Sequence, residues 1–463
     1  MSRLTRIAAP LLAALALASS AAAQQPLDVR YREPANRLIQ AALADSFAYN
    51  RLATLVDRFG HRLSGSGSLE AAIDWALAQM RADGLQNVRG EPVMVPHWVR
   101  GQESAELLLP RQVPLHIIGL GGSVATPPGG ITADVLVVGS EQELRAHAAD
   151  ARGRIVLFDV PFTTYGETVR WRTLGALSAA KVGAAAALIR SVSSFSMQNP
   201  HTGSMRYPDS TVARIPAAAV SVEDAMMMRR MQQRGERIRV RLLMSARTLP
   251  DAPSRNVVAE IVGRERPDEV VVVSGHLDSW DVGTGAMDDG GGSVAAWEAV
   301  RLMQRLGLRP RRTVRVVLWT NEENGIRGGL GYRDAHRAQL GRHQLAIESD
   351  NGVFRPNGFR FQGGDSALAL MRQVARLLEP IGATKMDRGE GEADVGPMIA
   401  LGVPGLGLDV DGTRYFWYHH SSADTIDKLD PAEMAKCVAA MAVVAYVAAD
   451  MPETLAHEVP AAR

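Results

Sequence analysis

The sequence predicts an α/β fold in which helices pack on both faces of a sheet. Along the second half of the chain, short apolar runs alternate with helical segments, which is typical of such sheets. The chain has 463 residues, 46% of them hydrophobic, which exceeds what one compact domain usually holds. The pattern of apolar residues changes near residues 110 and 250, so we expect a second structural unit between these points.

The first 23 residues resemble a secretory signal. Arg3 and Arg6 precede the apolar stretch IAAPLLAALALASSAAA, which contains Pro10 and ends in small residues. We expect cleavage after Ala23 and export of the remainder to the periplasm or the medium. A membrane anchor is the alternative, but no lipid-accepting cysteine follows and the apolar region is short for a span. We expect no later segment to cross a bilayer.

Helices and strands can be assigned in order along the remaining chain. Helical apolar spacing predicts helices at 37–60 and 67–85. In the inserted segment, strands are predicted at 133–139, 154–160 and 186–191, and helices at 144–151, 176–186 and 222–235. A polar, proline-containing link at 249–255 is followed by predicted strands at 256–263, 269–276, 313–320 and 343–349, and by a helix at 295–307.

Charge and cysteine content exclude two classes of function. The chain has 51 Lys and Arg against 50 Asp and Glu, so no basic field attracts nucleic acid. Cys437 is the only cysteine, which excludes intramolecular disulfides and a zinc-thiolate site. We expect Cys437 to be a small buried helix residue.

Acidic and imidazole side chains follow three of the predicted strands, and a fourth group lies before the C-terminal helix. They are His276 and Asp278 in SGHLD, Glu322 and Glu323 in TNEEN, Glu348 and Asp350 in ESD, and His419 and His420 in YHHSSADT. Ligand groups in such sheets gather outside the carboxyl ends of the strands. Any one of these residues alone would be interpreted as a solvated residue at the protein surface. Together they favour a metal site, because adjacent carboxylates such as Glu322 and Glu323 repel unless a cation or a shared proton offsets the charge.

Residues 274–292 contain one His, four Asp and six Gly directly after an apolar strand. Glycines allow the backbone to approach ions and substrate closely. A phosphate-binding loop is the rival interpretation of a glycine-rich turn from strand to helix. However, no Gly-Lys-Ser/Thr ends this loop, and four aspartates would repel phosphate.

These motifs resemble the co-catalytic zinc peptidases of family M28, and in particular their carboxypeptidase Q branch. The resemblance covers about residues 40 to 450 and is carried in order by SGHLDSWDVGTGAMDDGGG, LRPRRTVRVVLWTNEENG, ESDNGVF, GEGEADVGPMIALGVPG and YFWYHHSSADT. It implies a zinc-exopeptidase (phosphorylase/hydrolase-like) mixed sheet with helices on both faces. The peptidase domain would comprise residues 24–110 and 250–463, with a protease-associated domain inserted at 111–249.

The resemblance also implies roles for individual residues. Two zinc ions would be bound by five ligands, which are His276, Asp288, Glu323, Asp350 and His420, with Asp288 bridging both ions. Glu322 would be the general base, and Asp278 would support His276. The chemistry agrees, since zinc takes imidazole and carboxylate ligands where cysteine is absent. Asp278 lies two residues beyond His276, on the same side of an extended segment.

The family spacing selects between the two adjacent histidines. The ligand stands four residues before the Asp of an Asp-Thr pair, here Asp424, which indicates His420. His419 would then be packed or would support the ligand. His336 and His343 are expected at the surface, whereas His201 would reach the mouth of the site if the insert folds over it.

Three further residues are candidates for binding substrate. Arg414, Tyr415 and Tyr418 lie just ahead of the ligand histidine in DGTRYFWYHH. There a guanidinium could pair with a substrate carboxylate, and a phenol could donate to a developing oxyanion. A solvated surface arginine is the alternative for Arg414.

The motifs and the resemblance therefore predict an exported dinuclear zinc exopeptidase, of metallocarboxypeptidase or dipeptidase type, that acts on dipeptides or short peptides. The resemblance places the inserted segment as a lid beside the metal site, and a lidded pocket limits substrate length. An aminopeptidase of the same clan is one alternative, because the same metal core serves both ends of a peptide. A non-catalytic binding relic of the fold is another, but it predicts damaged metal motifs, and every motif here is complete. A homodimer is expected from the resemblance alone.

Overall fold

The computed structural model describes residues 25–459, so the predicted signal peptide lies outside the described residues. Its named strands form two eight-stranded sheets. They are β1 (Gln86–Val99), β2 (Glu103–Leu109), β3 (Val113–Leu115), β4 (Ile117–Gly119), β5 (Ile131–Val138), β6 (Ile155–Phe158), β7 (Ala186–Arg190), β8 (Ala217–Val220), β9 (Arg239–Met244), β10 (Arg247–Ile261), β11 (Arg266–His276), β12 (Arg312–Trp319), β13 (His343–Glu348), β14 (Pro356–Gln362), β15 (Lys385–Arg388) and β16 (Gly405–Val410).

The first sheet is mixed, with the strand order β1-β10-β12-β11-β13-β16-β14-β15. Its centre is parallel, because β11 pairs in parallel with both β12 and β13, and β13 pairs in parallel with β16. The outer pairs β1/β10, β10/β12 and β14/β16 are antiparallel. The predicted strands at 256–263, 269–276, 313–320 and 343–349 all belong to this sheet.

Helices cover both faces of the first sheet, as predicted. The longer α-helices span Arg32–Leu43, Phe47–Phe59, Gly67–Ala82, Tyr165–Lys181, Val222–Gln233, Gly291–Arg305, Arg327–Ala335, Asp365–Ala375 and Pro431–Asp450; the short ones span Leu27–Arg30, Glu141–Ala146, Ala148–Ala151, Glu322–Gly325, Gly396–Ile399 and Tyr415–Tyr418. Side chains alternate along β11, so Val271 and Val273 enter the large core, whereas Val270 and Val272 enter a separate cluster on the other face. A strand buried on both faces reads as a continuous apolar run, which explains VVVV.

The single helix predicted at 37–60 is two helices, Arg32–Leu43 and Phe47–Phe59. They are separated at 44–46, where the Asp45 carboxylate accepts a hydrogen bond from the Phe47 amide at 2.8 Å. An Asp that bonds to the backbone two residues on competes with the helix ladder. The helical spacing of apolar residues continues through this break, so the sequence pattern alone did not predict the turn.

The link predicted at 249–255 is wrong, because these residues form the first part of β10. They pair antiparallel with β1, with Met94 opposite Pro253 and, beyond a register shift between Val95 and His97, His97 opposite Leu249. Pairing of β10 with β12 begins only at Val257. Proline is tolerated in this part of the strand because only one of its edges is paired.

The second sheet has the order β3-β2-β9-β5-β6-β7-β8-β4 and its own apolar clusters. The chain enters it after β1 and returns from it into β10, and these two strands are paired with each other. This sheet begins at Glu103, before the boundary expected at residue 111. We call residues 103–246 the second lobe and the remaining described residues, which contain the first sheet, the first lobe.

The C-terminal helix Pro431–Asp450 corrects the expectation that no later segment is apolar enough to cross a bilayer. Its length and mean hydropathy of 1.6 satisfy the criteria for a span, but 83% of the apolar window is buried inside the protein. It packs against the helices Gly291–Arg305 and Arg32–Leu43 as a core helix. Cys437 is buried in it, as expected.

His343 is also buried, contrary to the expected surface position. It begins β13, and its Nε2 lies 2.9 Å from the Tyr332 hydroxyl. Burial lowers the pKa of His343 to about 4. His336 is half-buried and contacts the Glu91 carboxylate at 3.1 Å.

Candidate metal centre and active site

The predicted site residues converge because three parallel strands end at one edge of the first sheet. His276 at the end of β11 lies opposite Trp319 at the end of β12. On the other side of β11, Ser274 lies opposite Glu348 in β13. The loops that follow β12 and β13 therefore bring Glu322, Glu323 and Asp350 beside His276.

The Asp288 carboxylate lies between two groups of side chains. Its Oδ1 is 3.2 Å from His276 Nε2, and the same nitrogen is 3.2 Å from Asp350 Oδ1. Its Oδ2 is 3.3 Å from His420 Nε2, which is 3.0 Å from Glu323 Oε2. Oδ1 of Asp288 thus faces the imidazole that contacts Asp350, and Oδ2 faces the imidazole that contacts Glu323, so all five expected ligands come together.

Electrostatics indicate that this centre is built for cations. Burial and the neighbouring charge of Asp288 raise the pKa of Glu323 to about 7. Although burial lowers it, the carboxylates of Glu323 and Asp288 raise the pKa of His420 to about 10. The pKa of His276 is likewise raised well above its ordinary value by Asp350 and Asp288, despite burial. Carboxylates buried this closely require positive charge nearby.

His419 and His420 both approach Asp288, and their rings stack with centroids 3.5 Å apart. His420 Nε2 contacts both Asp288 and Glu323, whereas His419 Nε2 lies 3.5 Å from Asp288 Oδ2. Burial and the charge of His420 lower the pKa of His419 well below its ordinary value. His420 therefore contacts two of the other expected ligands, whereas His419 stacks on His420, and Asp288, His419 and His420 all lie close enough to share an ion.

Asp278 supports the centre differently from the expected contact between its carboxylate and His276. The Nδ1 of His276 lies 2.9 Å from the Asp278 main-chain carbonyl, while the Asp278 carboxylate is 3.7 Å away. That carboxylate instead accepts the main-chain N–H groups of Glu322 at 3.0 Å and Glu323 at 3.4 Å. Asp278 therefore fixes the imidazole through its backbone and the two glutamates through its side chain.

Glu322 lies in the cleft beside the centre. It follows Asn321, whose backbone is left-handed, with φ of 67°. Such a conformation is uncommon for a non-glycine residue and is held here by surrounding contacts. Burial and the charge of Asp350 raise the pKa of Glu322 well above that of an ordinary carboxyl. A carboxylate in this position can take a proton from a reacting group and give it back.

Three buried residues that the sequence did not single out hold the backbone of the centre. Asp289 accepts the amides of His276 and Gly292, each at 3.1 Å. A Cβ on Gly292 would collide with this carboxylate, which explains why the loop needs a glycine there. Asp424 accepts the amides of Met287 at 2.7 Å and Asp288 at 3.2 Å.

The third residue is Arg62, which is fully buried. Its guanidinium donates to the carbonyls of Gly60, Leu277, Thr284 and Gly285 at 2.7–2.9 Å. It therefore ties together both ends of the loop between β11 and Asp288. The sequence carries no recognisable signal for this role, whereas the Asp-Asp pair at 288–289 could have drawn attention to Asp289.

A cleft of about 920 Å³ opens onto the centre between the two lobes. The first lobe contributes Asp288, Glu322, Glu323, Asp350, Glu392, Tyr415, His419 and His420, and the second lobe contributes Tyr165, Arg170, Arg172, Ser204 and Arg206, among others. This volume suits a small molecule or a short peptide.

Of the three predicted substrate-binding residues, only Tyr415 lines the cleft. The Arg414 guanidinium pairs with the Glu433 carboxylate at 3.2 Å and lies 4.9 Å from the centre of the Phe354 ring. The Tyr418 ring packs against the core, with the Lys428 ammonium 5.9 Å from its centre. Arg414 and Tyr418 therefore face away from the substrate, and adjacency to His420 in sequence misplaced them.

The residues present fit a metal centre. The donors are imidazole nitrogens and carboxylate oxygens, which are zinc ligands. Within residues 25–459, Asp288 Oδ2 is buried and has no well-formed hydrogen bond, although His420 lies close to it. A buried carboxylate oxygen without a hydrogen bond is costly unless a cation occupies that place.

The fold and this site define a metallopeptidase. The sequence pattern of peptidase family M28 matches residues 256–445. Carboxypeptidase Q from Mus musculus is 50% identical over 429 residues, which are 92% of this chain and 91% of that protein. The chain belongs to peptidase family M28, in the branch of the carboxypeptidase Q proteins, which confirms the resemblance read from the sequence.

Solved structures agree with this assignment. The crystal structure of a peptidase M28 precursor from Shewanella amazonensis has a TM-score of 0.90 and 36% identity, and it covers 94% of this chain and 99% of its own. A zinc aminopeptidase from Bacillus subtilis, with a TM-score of 0.66 and 18% identity over 89% of this chain and 98% of its own, shares the fold.

The resemblance implies two zinc ions, and substitution of Asp288 by Ala should then abolish binding of both, because each carboxylate oxygen faces one ligand group. His420→Ala should weaken mainly one ion. Zinc content of the purified variants, measured by mass spectrometry, checks this. Asp268→Ala, at an exposed ion pair with Arg342, is the matched control and should retain the wild-type content. Retention of both ions and full activity by Asp288→Ala would contradict the bridging role.

Proposed function

We propose that this protein is an exported dinuclear zinc exopeptidase that hydrolyses dipeptides or short peptides with a free carboxyl terminus. The observation that carries the proposal is the arrangement around Asp288, whose two oxygens face His276 with Asp350 and His420 with Glu323. One carboxylate shared by two ligand groups is the arrangement expected of a two-metal site.

Zinc bound at these ligands would polarise the scissile carbonyl and make a bound water more acidic. The remaining steps belong to the chain. Glu322 accepts the proton of the attacking water and then donates it to the leaving amine. The Asp278 carboxylate holds the Glu322 amide at 3.0 Å and so fixes the base in the cleft. Tyr415 is buried and lines the cleft, and its hydroxyl is our candidate donor for charge that develops on the substrate oxygen.

Replacement of Glu322 by Gln should leave the fold and zinc content intact but lower kcat by about 10²-fold to 10⁴-fold, the range for loss of a general base. Gln keeps the size of the side chain but cannot take up the proton. Dipeptide hydrolysis and zinc content should be measured on the same preparation. Near-normal turnover with zinc bound would assign the base to another residue.

The second lobe supports a preference for small substrates. We propose that it is a protease-associated domain inserted into the peptidase domain, with bounds near residues 103 and 246 where its sheet begins and ends. It forms one wall of the cleft, and a site enclosed between two lobes limits the length of the peptide that enters.

Arg172 of the second lobe is our candidate for binding the substrate carboxylate. Its side chain is buried in the wall of the cleft, with only 6% of the residue exposed. The guanidinium donates to the Tyr165 hydroxyl at 2.9 Å and the Thr202 carbonyl at 3.3 Å, and its Nη1 also lies 3.3 Å from His420 Nδ1. Its Nε has no hydrogen-bond partner among residues 25–459. A buried guanidinium of this kind has capacity for an anionic ligand.

The other side of the cleft is acidic. Glu392 accepts hydrogen bonds from Asn351 at 2.7 Å and Arg360 at 2.6 Å, and it lines the cleft beside Asp350. Burial raises the pKa of Glu392 to about 8, and a substrate ammonium beside it would lower that pKa and favour the carboxylate form. A cation on one wall and acids on the other favour a peptide whose carboxylate and amine are both free. The alternative within the clan, an aminopeptidase, needs only the acidic side.

Arg172→Gln should raise KM for a free dipeptide by about 10-fold to 100-fold, since a hydrogen bond to a charged group contributes about 1.5–3 kcal/mol. Arg414→Gln is the matched control and should change little, because Arg414 already pairs with Glu433. Kinetics should compare one peptide in its free, N-acetylated and C-amidated forms. Wild-type tolerance of C-amidation, with Arg172→Gln unchanged, would point to an aminopeptidase.

Export and assembly complete the proposal. Signal cleavage after Ala23 would place the mature enzyme in the periplasm or outside the cell. The expected partners are short peptides, with no nucleic acid, and a homodimer is proposed from the resemblance alone.

A further inference from the structure

The two ligand histidines of the proposed dinuclear centre are oriented by different parts of the molecule. His276 Nδ1 lies 2.9 Å from the carbonyl of Asp278, two residues away in the same loop. His420 Nδ1 lies 3.3 Å from the carbonyl of Thr202, which belongs to the second lobe. Nε2 of each ring faces the ligand carboxylates, so a metal ion bound at Nε2 would leave the hydrogen on Nδ1, where it would donate to these carbonyls. Nη1 of Arg172, also in the second lobe, lies 3.3 Å from His420 Nδ1.

The segment 201–204 makes four contacts with the backbone and side chains of this side of the centre. The Thr202 amide donates to the His420 carbonyl at 2.8 Å, so the two residues bond to each other in both directions. His201 Nδ1 lies 2.6 Å from the His419 carbonyl. The Ser204 hydroxyl donates to the Glu323 carbonyl at 3.0 Å. Both ligands that face Asp288 Oδ2 are therefore contacted from the second lobe.

His201 is suited to this role because it is buried and neutral. Burial lowers the pKa of His201 to about 4, and its Nδ1 donates to a carbonyl. Its Nε2 has no hydrogen-bond partner within the described residues. The His201 ring therefore contacts the first lobe through Nδ1, at the His419 carbonyl.

The backbone of His420 needs external support. Its φ is 58°, in the left-handed region that costs free energy for a residue with a side chain. Such a conformation persists where neighbouring contacts over-determine it, and the paired bonds with Thr202 supply them.

The segment is in turn fixed to the second lobe. The Thr202 hydroxyl donates to the Gly119 carbonyl at 2.7 Å. The Gly121 amide donates to the Gly203 carbonyl, and the Met205 amide donates to the Gly121 carbonyl, each at 3.0 Å. A Cβ on Gly203 would collide with the Arg172 guanidinium, so the backbone passes closely beneath that residue. The position of the segment therefore depends on the second lobe.

We propose that segment 201–204 is a positioning element for one of the two metal positions, the one formed by Asp288, Glu323 and His420. The other position, formed by His276, Asp288 and Asp350, is oriented within the first lobe. This inference rests on the proposed dinuclear centre. It assigns the second lobe a part in metal binding besides covering the cleft.

The test is a calorimetric titration of the metal-stripped full-length mature protein with zinc chloride. The double variant His201→Leu with Ser204→Ala should bind one zinc with wild-type affinity and the other about 10-fold to 100-fold more weakly, the usual effect of losing partners that orient metal ligands. Ser204→Ala alone should weaken the same step by less. Ser140→Ala removes a hydrogen bond of similar kind at the start of the helix Glu141–Ala146, away from the centre, and should match the wild type.

Two backgrounds identify the affected position. With Asp350→Asn, the remaining zinc belongs to the position of Glu323 and His420, and the double variant should weaken it. With Glu323→Gln, the remaining zinc belongs to the other position, and the double variant should leave it unchanged. Thermal unfolding of the metal-free proteins measures any general loss of stability.

Unchanged affinities for both ions, or equal weakening of both, would overturn the positioning role while the dinuclear centre stands. A wild-type protein that binds fewer than two zinc ions would overturn the dinuclear centre and this inference with it.

Discussion

The structure of the site depends on one buried carboxylate, Asp288, which lies within hydrogen-bonding distance of imidazoles on both sides. Although burial raises it, the contacts with His276 and His420 lower the pKa of Asp288 well below its usual range. A charged carboxylate surrounded by further carboxylates is stable only where cations offset the repulsion. Both ligand groups therefore surround the negative charge of Asp288, which requires positive charge nearby.

The rest of the site holds this arrangement by hydrogen bonds to the backbone around the ligands, besides the carbonyls of Asp278 and Thr202 that contact the two imidazole rings. Asp278, Asp289 and Asp424 each accept main-chain amides next to a ligand. The Arg62 guanidinium donates to the Leu277 and Gly285 carbonyls in the loop between His276 and Asp288. Carboxylates that orient the backbone leave the ligand side chains free to face the ions. Ligand side chains that are held in position before the ion binds give a metal centre a defined coordination geometry.

The sequence predicted the parts of this architecture that a local pattern encodes. The apolar runs before His276, Glu322 and Asp350 identified three strands, and the rule that ligands gather at the carboxyl ends of strands placed the residues together. The identity of each ligand came from the family resemblance. Contacts between distant segments could not be predicted, since no pattern relates Arg62 to Gly285 or Thr202 to His420. Arg414 failed for a related reason, because Glu433 on the C-terminal helix competes for its guanidinium.

The central claim is that Asp288 joins two zinc ions. Anomalous diffraction from crystals of the zinc-loaded protein, collected on either side of the zinc absorption edge, tests it most directly. The account predicts two peaks about 3.5–4 Å apart. One should lie beside His276 and Asp350, the other beside Glu323 and His420, with the Asp288 carboxylate between them. A single peak, or zinc bound away from Asp288, would contradict the account.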